Sequence, residues 1–420
     1  MNNNYKELQQ KENYYNEIKS KLNDYDVAIN LSVNAIGKSK NSNHSKLLVS
    51  YFDKHISFEG AEKVFSLNTW CGPQITYYLK DVNAKELKEE MIDLEDNHPL
   101  GRFVDLDVYS KEKKSSFSRS GLRKCYLCDD PAFVCQRTEK HRSDELISYF
   151  EHEIESYFKQ LIKELIERSM LMELNLEYKF GLVTPTSKGS HHDMDYNLMV
   201  KAIEPVSSYL SNMFINALKI DNLDELVKTN QEVGIKAEQE MLKVTNGVNC
   251  YKGLIYNLGL VITALSQIIL KNMVLNELFD VIIEIAKRTL IKDEIETYGL
   301  YAYEKLNFGG IRKEALTGMP NLKQAFNQLT SFDELALRKT LVQLIINLED
   351  SVFLKRSKTL SKMREHQEKF ITLNINDYYA VKELNDYCIE KQLSFGGAAD
   401  LLVVTIFMKK YLKLFSLNKT

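Results

Sequence analysis

Asp105 and Asp107 lie two residues apart in His98-Pro99-Leu100-Gly101-Arg102-Phe103-Val104-Asp105-Leu106-Asp107-Val108, where the alternation of Phe103–Tyr109 reads as a strand. On a strand both carboxylates point to one face. Like charges side by side cost Coulomb energy unless they are solvated or share a cation, and Mg²⁺ is held by one or two carboxylates together with substrate phosphates. The chemistry such a pair serves is nucleotidyl transfer: metal and cations neutralise a triphosphate and stabilise departing pyrophosphate, with Arg102 pairing bidentately to phosphate oxygens. The plainer reading is the polar face of an amphipathic strand, which most isolated Asp-x-Asp pairs are.

Downstream, Cys125-x2-Cys128-x6-Cys135-x5-His141 offers four N/S ligands that would close a tetrahedral Zn²⁺ site. Equally, these are three buried thiols and a histidine, since free cysteine is commonly buried. In the second half, Gly189-Ser190-His191-His192-Asp193, the acids Glu238 and Glu240, Gly247-Val248-Asn249-Cys250-Tyr251-Lys252-Gly253, Glu314-Ala315-Leu316-Thr317-Gly318 and Leu393-Ser394-Phe395-Gly396-Gly397-Ala398-Ala399-Asp400 are loops rich in carboxylate, amide and cationic groups. Glycine there lets backbone N–H groups approach phosphate, and a helix starting after Gly253 would favour an anion. Lys252 would supply a point charge. Each string alone is weak, and a Gly-Gly before a helix is usually a turn.

These residues need elements to hold them. Asp26–Ala35 alternates with a strand period, short strands are expected at Lys63–Thr69 and Gln74–Leu79, and a helix at Ala84–Leu94. From Ser143 the period changes: Ile147, Phe150, Ile154, Phe158, Leu161 and Leu165 recur at helical steps, with Ser143 as a cap and Asp144 and Glu145 in the first turn. Helices are then expected at Val227–Val244, Leu254–Lys271, Asn276–Leu290, Glu334–Leu348, Asp377–Lys391 and Asp400–Leu414, without the self-similarity of a repeat array. With six prolines and 17 glycines in 420 residues, both below the average of about 5% and 7%, helix breakers are scarce. The fold class expected is an N-terminal α+β, nucleotidyltransferase-like domain over residues 1–150, followed by an all-α, non-repetitive helical domain over 151–420.

Composition narrows the function classes. A formal charge of −3 argues against nucleic-acid or membrane binding through bulk charge, and no basic stripe interleaved with stacking aromatics is present. The polar N-terminus, Met1–Lys21, lacks a signal-peptide core, and Gly253–Leu270 is interrupted by polar residues, so a buried helix is expected rather than a membrane span. Six cysteines in 420 residues are no disulfide scaffold, and three of them cluster as Cys125, Cys128 and Cys135, which suits a reducing cytoplasm.

The string His98–Asp107, with Arg123-Lys124-Cys125-Tyr126-Leu127-Cys128, Cys135, Arg137 and His141, resembles the apo-citrate lyase phosphoribosyl-dephospho-CoA transferases over about residues 25–150. The five later strings, in order, resemble the triphosphoribosyl-dephospho-CoA synthases over about residues 165–412. The resemblance implies that the second domain joins ATP to 3′-dephospho-CoA, releasing adenine. The first would then transfer the triphosphoribosyl product to a serine of the citrate lyase acyl carrier (γ) subunit, releasing pyrophosphate. It further implies Asp105 and Asp107 as Mg²⁺ ligands, Arg102 on the triphosphate, and His98 and Gly101 as substrate contacts. In the second domain it points to Asp193, Glu238 and Asp350 as catalytic, and to Gly247, Asn249, Lys252, Glu314, Gly396, Gly397 and Asp400 as substrate-binding. This chain departs from the family's usual pattern at Phe180 (usually proline), Tyr251 (usually histidine), Leu348–Val352 (an Asp-Thr-Asn string) and Arg356-Ser357-Lys358 (Arg-Gly-Gly). Two other functions fit the same residues: service to a malonate decarboxylase carrier, or a non-catalytic zinc-binding scaffold.

Overall fold

The computed structural model describes residues 3–56, 58, 60–66, 71–113, 116–119, 121–289 and 308–415. The chain divides into two compact units, Met1–Phe158 with Lys413–Leu417, and Lys159–Leu412 with Asn418–Thr420. Helix α5, Ser143–Leu174, is continuous through both residue 150 and that division.

The first unit is built on a four-stranded sheet of order β2-β3-β1-β4, formed by β1 (Val27–Val33), β2 (Glu62–Ser66), β3 (Gln74–Leu79) and β4 (Val104–Ser110). Every pairing is antiparallel, which makes this unit α+β. The end of the strand expected to reach Thr69 lies outside the described residues. Val27, Ile29, Leu31, Val104, Leu106 and Val108 are buried on one face. There α2 (Asn43–His55) packs on β1 and α3 (Ala84–Asn97) on β4. The opposite face divides along its length. At one end Ala28 and Tyr78, with Tyr109, pack against Ile18 and Leu22 of α1 (Asn3–Lys21). At the other, the register sets Ser32 opposite Gln74 and Asp105, and Asn30 opposite Thr76 and Asp107, so a polar strip crosses three strands. Helix α1 was not expected, because its Asn, Lys, Glu and Tyr residues carry little apolar periodicity.

β4 is an edge strand, and an unpaired edge must be satisfied or protected. Leu106 N–H donates to Glu95 Oε1 (2.8 Å), Lys88 Nζ donates to Leu106 O (2.8 Å), Arg123 Nη1 donates to Val104 O (3.2 Å), and Phe117 N–H donates to Val108 O (2.9 Å). The edge is thus closed by side chains of α3 and by the segment after β4.

In the second unit the described residues outside the turns are helical: α6 (Tyr196–Lys219), α7 (Leu223–Val244), α8 (Lys252–Leu270), α9 (Leu278–Arg288), α10 (Gly310–Leu316), α11 (Pro320–Gln328), α12 (Glu334–Asn347), α13 (Ser351–Ser357), α14 (Leu360–Ile371), α15 (Tyr378–Glu390) and α16 (Gly396–Tyr411). Asp195, Asn222, Asp333, Asp350 and Asp377 cap five of them, each accepting first-turn N–H groups. By length and apolarity α8 could cross a membrane, but it is the core helix, buried against α6, α7, α9 and α16. Leu290, the expected end of one helix, lies outside the described residues. Helix α16 begins at Gly396, four residues before the expected start at Asp400.

Candidate active sites

In the first unit the polar strip is the floor of the candidate site. Tyr14 of α1 donates to Asn30 Oδ1 (3.3 Å) and is hydrogen-bonded to Thr76 Oγ1 at the strip's margin. Arg123 joins two carboxylates, with Nη2 2.7 Å from Glu95 Oε1 and 3.2 Å from Asp105 Oδ1. Burial, then repulsion from Asp105, pushes the Asp107 carboxyl up to about 6, and Lys88 and Arg123 offset this only in part. Two carboxylates on one face with excess negative charge are a hard-oxygen donor set that fits Mg²⁺.

Beside them opens a cleft of about 1550 Å³ whose wall carries Arg102, Arg119, Arg123, Lys124 and Arg142 together with the acids Glu95, Asp96, Asp129, Glu139 and Asp144. Arg102 is held there by donating Nη2 to Cys125 O (2.7 Å), with its guanidinium 5.0 Å from the Tyr126 ring centroid. Tyr126 in turn donates to Asn34 O.

His98 and Gly101 do not line this cleft. His98 packs among Tyr51, Phe52, His55 and Tyr157, and its Nδ1 accepts from Leu100 N–H (3.0 Å). Burial pushes its imidazole down to about 4, with His55 adding to the effect. Gly101 passes so close to the carbonyls of Leu94 and Glu95 that a Cβ would collide with both. Packing accounts for both positions.

In the second unit Asp350 fastens two helix starts. Its Oδ1 accepts from Val352 and Phe353 N–H at the start of α13 (2.8 and 3.2 Å), and its Oδ2 from Gly397 and Ala398 N–H at the start of α16 (2.8 and 3.3 Å). Gly396 and Gly397 are therefore the first residues of a helix rather than a turn ahead of one, and the N–H of Gly397 is directed at the Asp350 carboxylate. One turn on, Asp400 is half-buried, and desolvation, then Asp350 and Glu173, push its carboxyl well above the usual range. Gly253, in the first turn of α8, sits against it: a Cβ there would collide with Asp400 Oδ2. The starts of α8 and α16 thereby converge. Lys252 Nζ pairs with Glu238 Oε1 (2.7 Å), and Asn249 Oδ1 accepts from Lys252 N–H (3.0 Å).

His191 Nε2 lies 3.1 Å from Ser394 Oγ and Nδ1 4.0 Å from Asp193 Oδ1, and burial followed by the nearby charge of Arg356 pushes its imidazole down. Asp193, Asn249, Lys252, Asp350, Gly397 and Asp400 thus belong to one neighbourhood. Two other expected residues serve local structure. Glu314 is buried and accepts from Asn321 N–H (2.7 Å), Asn321 Nδ2 (2.8 Å) and Leu322 N–H (3.3 Å), fixing the start of α11. Gly247 takes φ +86° in the turn after α7.

Several residues of these sites carried no role in the sequence reading. Glu173 and Lys179 form a buried ion pair (2.8 Å) beside the acid cluster. The available signal was positional, because Glu173 falls on the stripe Phe158, Ile162, Ile166 that α5 buries. Tyr251 is fully buried, and its hydroxyl has no hydrogen-bond partner among the described residues. In the first unit Asn30, Thr76, Lys88 and Glu95 were missed, since only the register brings Asn30 and Thr76 beside Asp107, and only the packing of α3 brings Lys88 and Glu95 to the β4 edge.

Residues 159–419 match the family described as ATP:dephospho-CoA triphosphoribosyl transferase (CitG). The chain belongs to this family. Residues 5–157 match the family described as apo-citrate lyase phosphoribosyl-dephospho-CoA transferase (CitX). The chain is 28% identical over 369 residues to Protein CitXG of Haemophilus influenzae, covering 80% of this chain and 79% of that one. It is 29% identical over 378 residues to Protein CitXG of Leuconostoc mesenteroides subsp. cremoris, covering 81% and 80%. The 2-(5''-triphosphoribosyl)-3'-dephosphocoenzyme-A synthase of Haemophilus ducreyi is 29% identical over 316 residues, 67% of this chain and 98% of that one. The protein is a transferase whose two units serve the synthesis and the attachment of the citrate lyase prosthetic group.

Two departures from the synthase pattern have structural readings. Phe180 takes φ +58° and is buried against Phe370, a backbone angle that proline, locked near −65°, cannot adopt. Lys358 takes φ +68° in the stretch where the family usually has Gly-Gly, so a left-handed backbone is present here at a cost of about 1 kcal/mol.

Proposed function

We propose that the second unit forms 2′-(5″-triphosphoribosyl)-3′-dephospho-CoA from ATP and 3′-dephospho-CoA at the convergence of α8, α13 and α16. The observation that supports this most is the convergence itself: Asp400 lies against Gly253 in the first turn of α8, and desolvation, then Asp350 and Glu173, raise its carboxyl well above the usual range. The adenosyl 2′-hydroxyl of dephospho-CoA attacks C1′ of the ATP ribose; the C1′–O bond forms, the C1′–N9 and hydroxyl O–H bonds break, the hydroxyl proton passes to solvent, and adenine leaves. A carboxyl whose surroundings favour its protonated form is suited to protonate that leaving group. Asp193, exposed beside His191, faces the developing positive charge on the ribose, and Lys252 and Arg356 face the triphosphate. Asp350 orients the N–H groups of Gly397 and Ala398 and holds the two helix starts together.

The first unit, read as nucleotidyltransferase-like in its chemistry, transfers this product to a serine of the acyl carrier subunit of citrate lyase. The serine oxygen bonds to the α-phosphorus as the bond to pyrophosphate breaks. Asp105 and Asp107 would hold Mg²⁺, which supplies charge neutralisation for the triphosphate. Arg102, Arg119, Arg123 and Lys124 line the cleft that receives the phosphates. Adenine chromatography after incubation with ATP, dephospho-CoA and Mg²⁺ tests the synthase reading. Adenine is expected only with dephospho-CoA present, and Asp400→Asn is expected to lower its rate at least about 100-fold while the fold is retained. Undiminished release by that variant would remove Asp400 from the chemistry. Offering apo-carriers of citrate lyase and of malonate decarboxylase side by side separates the two possible partners.

A further inference from the structure

The segment after β4 poses a folding problem. From residue 121 to 142 only Cys125 and Cys135 are buried, while Leu122 and Phe133 are largely exposed. Its regular structure is an isolated bridge, Lys124 to Pro131, and α4, Ala132–Thr138. A stretch this short of buried apolar surface has too small a core to hold one conformation by itself, which in small domains is the usual circumstance for a metal or a disulfide. Yet this segment forms much of the cleft wall and holds both guanidinium groups in place: Cys125 O accepts from Arg102, and Arg123 reaches Glu95 and Asp105.

At its centre the ligand atoms of Cys125, Cys128, Cys135 and His141 all lie within 4.8 Å of one another. Cys128 Sγ is 3.4 Å from Cys135 Sγ and 3.2 Å from His141 Nε2. Zn–S bonds of about 2.3 Å in a tetrahedron set sulfurs about 3.8 Å apart, so a small expansion accommodates the ion. All four cysteine and histidine ligands are used, whereas a Cys128–Cys135 disulfide would leave Cys125 and His141 without a role. The turn has the form of a metal knuckle: backbone N–H groups of Leu127 and Cys128 are directed at the Cys125 sulfur, and that of Asp130 at the Cys128 sulfur. Four protein ligands complete a tetrahedron and leave no exchangeable position, which marks the site as structural.

We propose that Cys125, Cys128, Cys135 and His141 bind one Zn²⁺, and that this ion fixes the wall carrying Arg123 and anchoring Arg102. The second part rests on the reading of the first unit as the carrier-modifying transferase; the first part does not. Metal analysis of the full-length protein decides the first. About one zinc per chain is expected in the wild type, about one in Cys388→Ser, and less than about 0.1 in Cys128→Ser and Cys135→Ser. His141→Cys, which keeps four soft ligands, should retain zinc even if the serine variants fold poorly, and its Co²⁺ form should show thiolate-to-cobalt charge transfer. Wild-type protein that takes up no zinc from an equimolar solution, or zinc that persists in Cys128→Ser/Cys135→Ser, overturns the site. For the wall, chelation should expose Arg123, Lys124 and Lys140 to trypsin and abolish carrier modification while adenine release continues. An unchanged cleavage pattern after zinc removal overturns the positioning role, and zinc binding in a protein inactive toward every carrier would fault the transferase reading alone.

Discussion

At the scale of single residues the account turns on carboxylates held in unfavourable surroundings. Burial, then Asp105, pushes the Asp107 carboxyl up to about 6 in the fold against an ordinary 3.8, so its contribution to stability is present below pH about 4 and is lost as pH rises through 6. Asp107→Asn should therefore unfold at a higher temperature than the wild type at pH 8, by an increment on the order of 1–2 kcal/mol, and show no advantage at pH 4. Millimolar Mg²⁺ should stabilise the wild type and leave the variant unmoved, as a ligand bound only by the native carboxylate pair requires. Thermal melts at both pH values, with and without Mg²⁺, check this; a variant less stable than wild type at pH 8 would mean Asp107 is a structural partner. The pair Asp105 and Asp107 was legible because a strand period of two forces them onto one face. Glu173 was not, because an acid on an apolar helix stripe is recognised only when its partner, Lys179, is placed beside it.

At the scale of elements, strong periodicity was legible and weak periodicity was not. β1, β4 and α5 follow from their alternation or apolar stripe, whereas α1 is polar on all sides and α6 carries Pro205 inside it, so neither announces itself. The start of α16 was misplaced because two glycines read as a turn; Asp350, 46 residues earlier, supplies the acceptor that lets them begin a helix. The turn joining α3 to β4 shows an element-level pH effect. His98 accepts Leu100 N–H through neutral Nδ1, and its imidazole is pushed from 6.5 to about 4 by burial and by His55. A histidine kept neutral in the fold but charged when unfolded loses stability as pH falls from 6.5 toward 4. His98→Asn, whose Oδ1 also accepts, should flatten that part of the stability–pH profile in urea titrations. A profile parallel to the wild type would show that other groups govern it.

For the molecule as a whole, sequence order disclosed two sets of motifs, and the two units at Met1–Phe158 and Lys159–Leu412 each carry one of them. The division itself was hard to read, since α5 runs through it with an unbroken apolar stripe and no linker composition marks the place. Placing two reactions on one chain raises the concentration of the first product near the second site. It also makes the two activities separable by mutation. The most direct measurement is the intact mass of apo-acyl carrier subunit incubated with ATP, dephospho-CoA and Mg²⁺ together with Asp107→Asn, Asp400→Asn, or an equal mixture of both variants. The account predicts that Asp107→Asn releases adenine without altering the carrier, and that Asp400→Asn does neither unless premade triphosphoribosyl-dephospho-CoA is supplied. The mixture should restore the mass gain of the prosthetic group. A mixture that releases adenine yet leaves the carrier mass unchanged, with both variants folded, would contradict the assignment of the two steps to two independent sites.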